Sequence, residues 1–295
     1  MQLIDTHSHL YAEEFDLDRS EALHRAREAG VVRLLLPAID SESHEHMFAL
    51  AKSAPDVCRV MMGLHPTSVN DNPRWCEELA LVEQYLTQSV LQPTPHSAPQ
   101  STPQPTLQSE QSHNAIKFCA VGEIGLDFYW SEDFKAEQRE AFVEQCRLAT
   151  RLDLPVAIHT RSAWEDMCEI LEQESAAARQ RGERLRGVLH AFGEDADTYR
   201  RLRRCGGFLF GIGGVVTFKK SCLAATVAEM DIEHIILETD CPYLTPAPHR
   251  GKRNESAYVS YICEKVAQIK GLPADEVARI TTANAMRMFL PDERL

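Results

Sequence analysis

Short apolar runs alternate with longer amphipathic ones along most of this chain. The apolar runs fall at 3–5, 31–36, 57–62, 118–121, 156–158, 188–189, 208–210 and 235–237. They are rich in Val, Ile, Leu and Phe and too short for helices, which predicts strands. Between them lie stretches with helical periodicity, at 13–29, 134–151, 163–174, 256–270 and 274–279. Eight apolar strands, each followed by a helical candidate, predict parallel strand–helix–strand units. Eight such units predict a closed (β/α)8 TIM barrel forming a single domain over 1–295. An open doubly wound sheet is the competing architecture.

One segment breaks the rhythm. From 88 to 113 the chain holds five Pro, six Gln and five Ser with a single charge. Such a segment buries too little apolar surface to offset the entropy of ordering. It predicts a low-complexity surface insertion between the third helix and the fourth strand, and it removes His96 and His113 from the candidate ligands.

Composition narrows the class. Apolar residues at 44% and charged residues at 25% are ordinary for a globular protein, and no apolar run is long enough to span a bilayer. Met1 leads into an apolar strand without a basic stretch, which predicts no secretory leader. Nine cysteines without a CxxC pair predict reduced thiols and a cytoplasmic location. Cys241 stands out only for its neighbours. The net charge of −13 argues against a broad basic surface that would wrap nucleic acid unaided, though not against a local basic patch or a bound metal. No segment calls for a membrane or an obligate protein partner.

The chemistry gathers where the strands end. His7 and His9 follow the first strand, His65 follows the third in GLHP, and Glu123 and Asp127 follow the fourth in VGEIGLD. His159 ends the fifth in AIHTR, His190 the sixth in VLHAF, and Glu238 and Asp240 the eighth in ILETD. In a parallel barrel these carboxyl ends meet at one face, where such enzymes keep their sites. Alternation along an extended segment puts His7 and His9 on one side. Four histidines and two carboxylates converging from five of these strands form a metal-ligand set rather than ordinary strand ends. Six ligands exceed one tetrahedral shell, which predicts two divalent cations (Mg, Mn or Zn) bridged by a carboxylate, with Glu123 placed between the clusters. Two metals lower the pKa of a water and clamp the oxygens of a displacement, so hydrolysis of an ester, amide or phosphodiester is expected.

In this order HSH, GLHP, VGEIGLD, IHTR, VLHAF, ETDCPYLTP, PHRGKRNES and TTANAMRMF resemble the TatD family of metal-dependent deoxyribonucleases, from about residue 3 to 290 apart from the insertion. The resemblance implies an amidohydrolase-type TIM barrel with nuclease activity on DNA. It implies His7, His9, Glu123 and Asp240 around a first metal, and Glu123, His159 and His190 around a second. Asp240 is the expected proton acceptor for the attacking water and Glu123 the bridge. His65 either contacts a phosphate oxygen or orients a ligand from behind. Asp127 and Glu238 are expected behind the ligands, Glu238 supporting either a histidine or its own loop. Arg250 and Arg253, in the basic run after the eighth strand, are expected to clamp phosphate. Tyr129 and Trp164 either stack on a base or pack at the rim. The expected substrate is DNA, single-stranded or at an end, cut by an exonuclease. The alternatives are hydrolysis of another ester, such as an aminoacyl-tRNA ester, and a metal-stabilised binding module recruited through the Pro/Gln segment.

Overall fold

The computed structural model describes residues 1–90 and 116–295. Eight strands lie in one parallel sheet in sequence order: β1 (Leu3–Asp5), β2 (Val31–Leu36), β3 (Cys58–Met62), β4 (Phe118–Asp127), β5 (Val156–Arg161), β6 (Gly187–Leu189), β7 (Phe208–Ile212) and β8 (Ile235–Leu237). The barrel closes just past the ends of β1 and β8. Thr6 N–H donates to the Leu237 carbonyl at 3.1 Å and Asp240 N–H to the His7 carbonyl at 2.9 Å, and Ser8 bridges Cys241. The (β/α)8 expectation holds.

The interior follows from strand alternation. Ile4, Leu35, Met61, Ala120, Ala157, Val188, Leu209 and Ile236 pack into one buried cluster, one residue from each strand. Its amino-terminal end is sealed by α9 (Ala274–Phe289), through Ala285 and Phe289. This sealing explains why α9 runs well past 279: its apolar stripe continues as far as the barrel needs a plug. The larger cluster lies outside the strands, beneath α1 (Arg19–Glu28), α2 (Ser41–Ser53), α3 (Trp75–Val90), α4 (Lys135–Arg151), α5 (Trp164–Gln180), α6 (Ala196–Cys205), α7 (Leu223–Glu229) and α8 (Val259–Lys270).

The same alternation positions the chemistry. Two residues beyond the interior layer, a side chain again faces the barrel axis, now at the carboxyl mouth. Ala157 leads to His159, Val188 to His190, Leu209 to Gly211 and Ile236 to Glu238. In β4 the register against β5 slips between Val121 and Ile124, and Glu123 falls within the slip. Gly125 sits so close to β5 that a Cβ would come within 1.9 Å of the His159 carbonyl oxygen, and its φ is +150°. Only glycine fits there, and it allows β4 to carry Glu123 and Asp127 alongside His159.

Several boundaries differ from the sequence pattern. β4 and β5 extend through Asp127 and Arg161, because polar residues at the mouth continue the ladder. The stretch 13–29 divides into a 3-10 turn, Glu13–Phe15, and α1, because Phe15 is buried and Arg19 donates to the carbonyls of Leu10, Tyr11 and Ala12. Residues 88–90 belong to α3, and the rest of the expected insertion lies outside the described residues. Among the described residues no helix is long and apolar enough to cross a membrane. All nine cysteines are free thiols. Burial pushes the Cys241 thiol up to about 12, so it is an uncharged packing group beside Ser8 and Ser256.

Candidate metal centre

Glu123 occupies the middle of the site. It is almost wholly buried, and its two oxygens face different partners. Oε2 lies 3.0 Å from His7 Nε2 and 3.6 Å from His9 Nε2. Oε1 lies 3.1 Å from His159 Nδ1, 3.4 Å from His65 Nε2 and 3.5 Å from His190 Nε2. Asp240 closes the first side, with Oδ1 3.5 Å from His9 Nε2 and 3.8 Å from His7 Nε2. The backbone of Asp240 is left-handed at φ +56°, a conformation that a non-glycine residue adopts at a cost of order 1–3 kcal/mol. The Asp240 N–H bond to His7 holds it there.

Hydrogen bonds at the periphery fix which nitrogen His9, His190 and His159 turn inward. Tyr11 uses its hydroxyl proton on the Pro37 carbonyl at 2.6 Å, so at 2.9 Å it must accept from His9 Nδ1–H. Neutral His9 therefore presents a lone pair at Nε2. His190 donates from Nδ1 to Glu238 Oε1 at 3.1 Å and likewise presents Nε2. His159 donates from Nε2 to Asp127 Oδ2 at 3.0 Å and presents Nδ1. His7 turns Nε2 to within 3.2 Å of His9 Nε2, while its Nδ1 is buried without a hydrogen-bond partner. Lone pairs and carboxylates placed face to face in a buried cluster repel unless a proton or a cation lies between them. This donor set fits divalent metal ions.

His65 is different. Its Nδ1 accepts from the Thr67 backbone N–H at 3.2 Å, so neutral His65 carries its proton on Nε2 and aims a donor, not a lone pair, at Glu123. Three overlapping groups have donor atoms close enough to share an ion: His7/His9/Asp240, His7/Glu123/His190 and His65/Glu123/His159. His190 thus contacts both sides, and its ring stacks on that of His7 at 3.5 Å.

The charge states follow from these contacts. Burial works to raise the Glu123 carboxyl, but His7, His65 and His190 outweigh it and hold it well below the usual range. Asp240 is lowered in the same way, against burial, by His190, His9 and His7. Burial would lower His190, yet Glu238, Asp240 and Glu123 push it up to about 10. Burial also opposes the charged form of His159, but Asp127 and Glu123 raise it. Without a cation the cluster answers its own negative charge with protons, and a divalent ion competes for the same positions.

The groups behind the ligands are now specific. Asp127 holds His159 and accepts from the Tyr129 N–H at 3.0 Å. Glu238, fully buried, accepts from His190 and from the Ala191 N–H at 2.5 Å. Sequence reasoning missed Tyr11, Thr67 and Gly211. A tyrosine two residues beyond His9 was the only available hint of the first. Gly211 is needed because a Cβ there would come within 2.1 Å of Glu238 Oε2. Gly211→Ala is therefore expected to displace Glu238, release His190 and weaken ion affinity about 10- to 100-fold, as loss of supporting contacts does. Ion titration of the purified variant reads this directly, and unchanged affinity would remove Glu238 from the account.

The basic loop after β8 divides. Arg250 is exposed and lies 3.7 Å over the Phe218 ring. Arg253, expected to clamp phosphate, already has its Nη1 and Nη2 engaged within the chain. It forms a fork onto Asp18 at 2.6 and 2.8 Å, donates to the Glu14 carbonyl and lies over Phe15. In an acidic chain a neighbouring carboxylate has captured it. Trp164 is partly buried and packs edge-on to Phe192 at 5.4 Å, whereas Tyr129 is exposed.

Residues 4–290 match the family model described as TatD related DNase. The chain is 34% identical over 288 residues to an uncharacterized metal-dependent hydrolase, YabD, of Bacillus subtilis, covering 97% of this chain and 98% of that one. It is 29% identical over 292 residues to the human deoxyribonuclease TATDN3, covering 97% and 94%. Among solved structures it resembles YjjV, a TatD homolog from Escherichia coli, with a TM-score of 0.80, 26% identity and 97% coverage of both chains.

Proposed function

The chain belongs to the TatD-related DNase family and is a metal-dependent hydrolase, and we propose that it hydrolyses phosphodiester bonds of DNA, acting as an exonuclease on single-stranded ends with two divalent ions. The observation that carries this reading is Glu123, whose two carboxylate oxygens face two sets of imidazoles at the mouth of the barrel. The name of the human relative, a deoxyribonuclease, supports DNA as the substrate.

In this reading His7, His9, Asp240 and Glu123 would hold one ion, and Glu123, His159 and His190 would hold the other. The bound ions supply Lewis acidity toward water and phosphate oxygens. The chain does the rest. Asp240, ionised and more open to the mouth than Glu123, takes the proton of the attacking water. His65 is placed to donate from Nε2–H to a non-bridging phosphate oxygen. Glu238 and Asp127 keep His190 and His159 in the tautomers that face inward. Arg250 meets a phosphate further along the strand.

Mapping products from an end-labelled single-stranded oligonucleotide tests the mode of attack. Mononucleotides released successively from one end are expected, and early internal fragments would overturn the exonuclease assignment. The basic loop gives a second expected result. Arg250→Ala should flatten the dependence of binding on salt by about 0.7 unit of slope, one single-strand phosphate contact. Arg253→Ala should leave that slope unchanged and lower the thermal midpoint, because it loses Asp18 rather than substrate. Salt titrations of oligonucleotide binding, with chelator present to stop turnover, separate the two.

A further inference from the structure

Apart from the chain ends and Leu17, the exposed large apolar side chains among the described residues are Tyr129, Trp130, Tyr243 and Leu244. All four follow a strand at the carboxyl mouth, two after β4 and two after β8, on opposite sides of an eight-stranded barrel. Exposed apolar surface concentrated at a site marks a binding surface. The β4 side carries more than apolar area. Tyr129 is 56% and Trp130 67% exposed, with ring centroids 5.0 Å apart and nearly perpendicular. Arg161 pairs in register with Asp127 across β4 and β5, and its guanidinium carbon lies 3.7 Å over the Tyr129 ring and 5.4 Å from that of Trp130. Among the described residues no carboxylate pairs with Arg161, although the chain is strongly acidic and has captured Arg253 with Asp18. The Tyr129 ring underlies the exposed Arg161 guanidinium, two residues beyond His159.

We propose that Trp130, Tyr129 and Arg161 form a nucleobase subsite beside the metal centre. The base next to the scissile phosphate stacks on the Trp130 indole, and Arg161, held over Tyr129, donates to the phosphate of that nucleotide. This rests on the reading of the substrate as DNA. Stacking on one indole face is tolerant of sequence, since every base offers a π face, but it requires a base that has left its own stack. The subsite therefore selects single strands and frayed ends and is indifferent to base identity. Asp127 couples the subsite to the chemistry, because one of its oxygens holds His159 and the other the Tyr129 backbone N–H.

The test uses two single-stranded oligonucleotides, identical except that one is abasic at its terminal residues, with the ion-loaded protein. Trp130→Ala should raise KM for the base-bearing strand about ten-fold or more. It should change kcat less than about two-fold and leave KM for the abasic strand near that of the unmodified protein. Trp130→Phe should restore most of the loss. Arg161→Ala should raise KM for both strands, having lost a phosphate contact. Metal content and thermal midpoint, measured alongside, identify a variant that has merely misfolded, and Trp130→Phe then carries the comparison through its base-bearing to abasic KM ratio. A Trp130→Ala variant with unchanged KM, or with equal rises on both strands, overturns the subsite while DNA hydrolysis stands. Failure of the unmodified protein to cut either strand while it cleaves another ester overturns the substrate reading, and the subsite with it.

Discussion

Glu123→Gln is expected to lose more than about 100-fold in hydrolytic rate, beyond the upper range for groups that only support a metal ligand. The substitution keeps the size of the side chain and removes its charge. In the native site one carboxylate answers His7 and His9 with one oxygen and His159 and His190 with the other. A neutral amide offers one acceptor and one donor, so one imidazole set would meet an N–H where it needs an oxygen anion. Both ion positions weaken together. The barrel itself should persist, because the interior layer of Ile4, Leu35, Met61, Ala157, Val188, Leu209 and Ile236 lies beneath the site and makes no use of Glu123. Circular dichroism, metal content and turnover measured on one preparation check all three statements. A folded variant that keeps its ions and near-normal turnover would show that Glu123 is not the bridge.

Asp240→Asn is expected to act mainly on kcat, lowering it about 10²- to 10⁴-fold, the usual contribution of a positioned proton acceptor. An amide at this position still faces His7 and His9 but cannot take a proton from water. His190, His9 and His7 keep the native carboxyl ionised against its burial, so Asp240 is unprotonated at neutral pH. Steady-state kinetics on a single-stranded oligonucleotide should show KM changed far less than kcat. A rise in KM with kcat preserved would make Asp240 a substrate-binding group instead.

Much of this was legible in the sequence because the barrel repeats a simple rule. Apolar runs of two to six residues followed by His, Glu or Asp mark the mouth, and the order of those ends points to His7, His9, His65, Glu123, His159, His190 and Asp240. The rest depended on partners that a linear pattern does not display. Nothing in GLHP says that the Thr67 N–H occupies His65 Nδ1 and makes the ring a donor. Nothing in RGKR separates Arg250 from Arg253, because Asp18, the partner that removes Arg253 from service, lies 235 residues away along the chain. The strand ends are not legible in the sequence because polar residues such as Glu123 and His159 look like loop, whereas at the mouth of a barrel they continue the ladder. Trp130 escaped notice for a similar reason: an aromatic beside an acidic turn resembles rim packing until its exposure and its guanidinium neighbour are known.

The account turns on divalent ions held around Glu123 driving cleavage of DNA. The most direct measurement titrates Mg, Mn or Zn into metal-free protein, recording bound ions per chain and the rate of cleavage of a single-stranded oligonucleotide on the same samples. The expected result is no cleavage without ions, a rate that rises as two ions bind per chain, abolition by chelator, and weakened ion binding with cleavage reduced more than about 100-fold in Glu123→Gln. Ion-loaded protein that leaves DNA intact while hydrolysing another ester, or DNA cleavage that persists undiminished after the ions are removed, would contradict it.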